Sequence, residues 1–93
     1  MIERDGNRLR VTGALTLASA TALNEAAKPH FSGDIVVDLA DVTEVDSTAL
    51  SLLFEWRRAA QHNNCRIAFS NLPESLKSLA ALYGVTELVA GNA

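Results

Sequence analysis

Residues 42–60 read VTEVDSTALSLLFEWRRAA. Just before them, Ile35, Val36, Val37 and Leu39 form an apolar run; after the acids and small hydroxyl residues that end it, the apolar positions recur at helical spacing. A continuous apolar run of this length marks a strand covered on both faces, and a period of three to four marks a helix packed on one. The stretch predicts strand, loop, helix.

Asp46, Ser47 and Thr48 stand at the predicted helix start. Side-chain oxygens there accept from the first free backbone N–H groups, but only one or two of three consecutive residues can do so. At least one hydroxyl is left beside a helix N-terminus, where loose N–H groups and the helix dipole favour a partner's carboxylate or a phosphoryl group. Plain capping is the competing reading.

At 100° per residue, Ala49, Leu52, Leu53, Trp56, Ala59 and Ala60 share one face of this helix, and Leu50 and Phe54 widen it to one side. Either the next helix covers Leu50 and Phe54 or they belong to a surface for another protein. Ser47, Ser51, Glu55 and Arg58 stack along the polar face, and a partner docking along this helix would meet Ser47, Ser51 and Arg58.

Outward from the helix, 66–70 is a second apolar strand, so the helix is the crossover of a parallel pair with the strand at 34–39. Upstream, alternation around Asp5, Gly6 and Asn7 predicts a hairpin with strands at about 1–5 and 8–13. Residues 15–27 shift to helical spacing with Ala20, Leu23 and Ala27 on one side, and Pro29 ends that helix near Ala27 or Lys28. Its alanines, Ala18, Ala20, Ala22, Ala26 and Ala27, suit close packing on a sheet. Downstream, Asn71 as N-cap with Glu74 three positions later is an Asn variant of the capping box. Leu76, Leu79, Ala80 and Tyr83 read as core, and Gly84 as a left-handed stop. Residues 85–89 suit a short edge strand, with 90–93 frayed.

The 93 residues, at net charge −3, make one small α/β domain spanning 1–93, with a modest core. It comprises an N-terminal β-hairpin leading into a mixed, mostly parallel sheet of four or five strands and about three helices. The basic residues are scattered, which argues against nucleic acid as a partner. Cys65, the one cysteine, excludes an internal disulfide and reads as a buried structural thiol. His30 and His62 stand apart, so no metal site is expected. No apolar run approaches the roughly 20 residues of a membrane span, and the N-terminus lacks a signal-peptide pattern. A cytoplasmic location is expected, with any attachment to the inner membrane made indirectly through a partner.

The run Asp46, Ser47, Thr48, Ala49, Leu50 behind a strand resembles the signature of STAS domains, the family of anti-sigma-factor antagonists and transporter-associated regulators. With Leu52, Leu53, Trp56, Arg57 and Arg58, and then Asn71, Leu72, Pro73, Leu76, Leu79, Ala80, Leu82, Tyr83, Gly84 and Val85, it looks most like the MlaB branch. The likeness runs from Leu9 to about Leu88 and implies a STAS-type fold.

Catalysis is not expected. Neither histidine lies near a nucleophile elbow and no glycine-rich loop is present. Asp41, Glu44 and Asp46, in a loop before a helix, read as caps and solubility charges. No cofactor is called for.

Two binding roles remain. Resemblance to the MlaB branch implies a non-catalytic subunit that binds the cytoplasmic ATPase of an ABC-type phospholipid transport system and supports its assembly and activity, in the service of outer-membrane lipid asymmetry. Ser47 falls where that branch has its functional hydroxyl. Resemblance to the antagonists implies a switch in which a serine kinase phosphorylates Thr48 or Ser47 and an anti-sigma factor is the partner. Ala49 replaces the glycine usual in antagonists, and a phosphate on Thr48 would be repelled by Glu44 and Asp46. The first role is favoured, with Asp46, Ser47, Thr48, Ser51 and Arg58 as partner-binding residues.

Overall fold

The computed structural model describes residues 2–84. Four strands form one sheet in the order β1-β2-β3-β4: Ile2–Asp5, Arg8–Leu15, Asp34–Val45 and Arg66–Ser70. The β1–β2 hairpin is antiparallel, and β2–β3 and β3–β4 are parallel. Three α-helices, α1 (Leu17–Ala27), α2 (Thr48–His62) and α3 (Glu74–Leu82), alternate with the strands, and a 3-10 turn at Lys28–His30 follows α1. The mixed, mostly parallel α/β architecture is the one the sequence predicts, with four of the four or five expected strands among the described residues. The predicted strand at 85–89 and frayed end at 90–93 lie outside them.

The hairpin turns at Gly6, whose φ of 63° is a conformation that glycine adopts at little cost. Both central strands outrun their predicted ends. β2 continues to Leu15 and β3 to Val45, paired as Thr12 with Asp41 and Leu15 with Val45 across register shifts. The apolar run at 35–39 marks only the buried half of β3; beyond it the residues are mostly exposed, and hydrophobicity no longer reports the strand. The extra length carries the chain to the start of α2 as an extended arm.

The core forms where the helices meet one sheet face. Leu9, Val11 and Leu15 from β2, Ile35, Val37 and Leu39 from β3, and Phe69 from β4 point into it. Opposite stand Ala49, Leu52, Leu53, Trp56 and Ala60 of α2, all buried as the helical period requires. Trp56 is fully buried at the centre. Its indole N–H donates to Asn24 Oδ1 of α1 at 3.1 Å, and its ring meets Phe31 edge-on at 6.3 Å.

Three local expectations need correction. Asn71 is not the N-cap of α3: that position is Pro73, and Asn71 adopts a left-handed φ of 57° while its amide donates to Asp38. Spacing to Glu74 made Asn71 look like a cap, but the turn out of β4 has a stronger use for it. Tyr83 is not core; it is 56% exposed at the end of α3. In α1 the inward residues are Leu23 and Ala27, while Ala18, Ala22 and Ala26 face solvent. The alanine richness of that helix reflects helix propensity more than sheet packing.

Cys65 is buried, and burial pushes its thiol pKa up, with Asp34 adding to the rise and Arg4 opposing it. Both the burial and the raised pKa disfavour the reactive thiolate, in keeping with a buried structural thiol.

Candidate functional site

The arm of β3 ends at Asp46, whose carboxylate organises the loop into α2. One oxygen accepts from the Thr48 backbone N–H at 2.8 Å and the other from the Leu17 backbone N–H at 3.1 Å. The Leu17 bond is the largest cause of a carboxyl pKa held below the ordinary value; partial desolvation opposes it, and the Thr48 N–H, the Thr48 hydroxyl and the Ala49 N–H add to the lowering. Asp46 thus joins the N-termini of α1 and α2 through one side chain. Neither hydroxyl performs that capping: Ser47 has helical backbone angles (φ −62°, ψ −20°) and makes no side-chain capping bond.

The start of α1 is closed by its own chain. The Thr16 N–H donates to Ser19 Oγ at 3.0 Å, and that hydroxyl donates to the Ala14 carbonyl at 2.7 Å. With both helix starts fixed, the loop presents Ser47 and Ser51 outward, both exposed, and Thr48 half-buried between them.

Two grooves flank this crest. On the α3 side, Ser47, Thr48, Leu50, Ser51, Phe54 and Tyr83 line a depression of about 400 Å³. Toward α1, Thr48, Ser51 and Leu52 share a second, of about 330 Å³, with Thr21 and Asn24. Leu50 is buried and Phe54 half-buried, so most of the wide apolar arc is covered, while Phe54 and Tyr83 share the wall of the depression on the α3 side. Leu17, next to Asp46 through its N–H, is 75% exposed. Hydroxyls at the centre and exposed apolar side chains at the margins suit protein contact.

Asp46, Ser47, Thr48 and Ser51 therefore come together. Arg58 does not: it lies eleven residues beyond Ser47, about 16 Å along the helix at the α-helical rise. Its guanidinium is held by Glu55 at 2.7 Å. The Asp46 carboxylate is engaged by the Leu17 and Thr48 backbone N–H groups and by the Thr48 hydroxyl. No group of three or more potential metal ligands occurs among the described residues.

Sequence reasoning missed Asp38. It lies on the sheet face opposite the core, only 8% exposed, and accepts from Arg8 Nη1 at 2.8 Å, the Ala40 N–H at 3.0 Å and Asn71 Nδ2 at 3.0 Å. Burial alone would raise its pKa; the Asn71, Ala40 and Arg8 bonds outweigh it and hold the carboxyl below its usual value. Through Asn71 this carboxylate ties the turn that leads into α3 to the sheet. The one signal was an acid inside an apolar run.

The sequence matches the family described as "Mlab, STAS domain" over residues 1–90. No curated protein sequence matches the chain. Among solved structures, the anti-sigma factor antagonist SpoIIAA in its unphosphorylated form aligns with a TM-score of 0.66 at 12% identity, over 88% of this chain and 81% of that one. The phosphorylated form of SpoIIAA, a Bacillus cell-fate determinant, aligns at 0.69 and 13% identity, over 95% and 86%. Mglu aligns at 0.60 and 25% identity, over 80% of this chain but only 19% of that one. The SpoIIAA likenesses speak for the fold; the match across nearly the whole sequence, with the strand, Asp-Ser-Thr loop and helix in the expected places, makes this chain a member of the MlaB-type STAS family.

Proposed function

We propose that the protein is a non-catalytic subunit that docks, through the crest at 46–51, on the cytoplasmic ATPase of an ABC-type phospholipid transporter and supports its assembly and activity. The observation that carries this reading is the division of labour at the loop. Asp46 does the structural capping, which leaves the Ser47 hydroxyl exposed on a fixed backbone between two grooves. A rigid hydroxyl offers one donor and two acceptor sites at low ordering cost to a partner.

Ser47→Glu tests it. A carboxylate beside the N-terminus of α2 is compatible with the fold, but buried without a counter-ion in an interface it costs about 3 kcal/mol, roughly a hundredfold in Kd. Gel filtration with the purified ATPase should show loss of the complex with unchanged thermal unfolding of the free protein; an undiminished complex contradicts the proposal.

A second reading, an anti-sigma-factor antagonist switched by phosphorylation, draws on the exposure of Ser47 to an incoming kinase. Thr48 is half-buried, so its hydroxyl is less accessible to such a kinase than that of Ser47. Intact-mass measurement of protein from native cells would show a phosphorylated fraction under this reading, and only the unmodified mass under the first.

A further inference from the structure

Away from the crest, a groove of about 500 Å³ wraps the margin of β4, the last strand of the sheet among the described residues. That volume lies within the roughly 300–1,000 Å³ typical of small-molecule sites. Arg57 and Gln61 enter it from α2, one turn apart; Arg66 enters from β4, and Ile35 and Ile67 line it with apolar surface. The pairing of its two arginines sets it apart. Arg4 is held by the Gly6 and His30 carbonyls, Arg8 by Asp38 and Arg58 by Glu55, and Arg10 lies 3.9 Å from the Asp41 carboxylate. Among the described residues the guanidiniums of Arg57 and Arg66 alone have no such partner, and both line this one groove.

Asp34 also lines the groove and is the cross-strand partner of Arg66, yet it makes no ion pair with it. The groove therefore carries a net positive charge with unsatisfied forked donors. A single carboxylate fills one guanidinium fork; a phosphate, with three free oxygens and nearly two negative charges, can engage both, while the Gln61 amide adds a further donor.

We propose that Arg57, Gln61 and Arg66 form a binding site for a phosphate-bearing ligand, separate from the crest and independent of the ATPase reading. The phosphate could be supplied by a soluble phosphate monoester or by a lipid headgroup.

The full chain, labelled with 15N, is titrated with phenyl phosphate at constant ionic strength, with chloride as the control anion. Vesicles of phosphatidylcholine with and without phosphatidic acid form the second arm, read by co-sedimentation. Saturable shifts at the amides of Gln61, Cys65 and Arg66 are expected, weakened about tenfold by Arg57→Gln and by Arg66→Gln and strengthened about threefold by Asp34→Asn. Because none of these three side chains makes a bond within the fold, the variants should unfold at the temperature of the parent. Binding to phenyl phosphate assigns a soluble ligand; binding only to vesicles containing phosphatidic acid, lost in both arginine variants, assigns a lipid headgroup. No saturable binding in either arm, or binding indifferent to both arginine substitutions, overturns the site.

Discussion

At the scale of single residues, two aspartates carry most of the architecture beyond the apolar core. Asp46 and Asp38 each hold backbone or side-chain donors from separate elements, and each has a carboxyl pKa below the ordinary value. A depressed folded-state pKa gives stability that is complete above the unfolded value of about 4 and is lost as pH falls through the folded value. Acid titration followed by circular dichroism should therefore show stability falling below about pH 4, and Asp38→Asn should flatten that fall. Asp38→Ala leaves Asn71 and the Ala40 N–H without their acceptor and should cost about 1–3 kcal/mol in urea unfolding. Asp46→Ala should lower the thermal midpoint and move the amide signals of Leu17 and Thr48, the two N–H groups it accepts from.

At the scale of elements, α2 binds sheet and helices together. Trp56 is the one tryptophan, and with its ring buried its emission should be blue-shifted and should report unfolding directly. Trp56→Phe removes the bond to Asn24 and part of the ring volume, an expected loss of about 1–3 kcal/mol in urea unfolding followed by circular dichroism. The apolar period of α2 was legible because one face of the helix is buried over its whole length. The ends of β3 and the cap of α3 were not. Past Leu39 the strand is held by backbone pairing to β2 and only Val42 and Val45 reach the core, too sparse a pattern to mark a strand, and the fate of Asn71 was decided by Asp38, 33 residues away in sequence. Tyr83 satisfied the helical period yet came to rest outside, since a period gives the face of a helix but not the extent of what it packs on. At the crest, the start of α2 at 46–48 was readable from local capping chemistry; which of the three would cap was not, because the deciding contact, Leu17 to Asp46, comes from another helix.

At the scale of the whole molecule, the core and the sheet lock two helix starts in place and hold up an exposed hydroxyl between two grooves. No helix among the described residues is long and apolar enough to cross a membrane; under the proposed function the contact with the transporter is the one at the crest. The Asp38–Asn71 bond ties the turn before α3 to the sheet, and Tyr83 at the end of α3 walls one groove. Tyr83→Ala should leave stability within about 0.5 kcal/mol, as an exposed side chain, while weakening partner binding by about tenfold, the loss of one interface aromatic; calorimetric titration with the ATPase measures it. The most direct test of the central claim is hydrogen–deuterium exchange of the protein alone and in the presence of the purified ABC-type ATPase. Slowed exchange concentrated at residues 46–54, with β1 and the far end of α2 unchanged, is the result expected; unchanged exchange at 46–54 with saturating ATPase would contradict it.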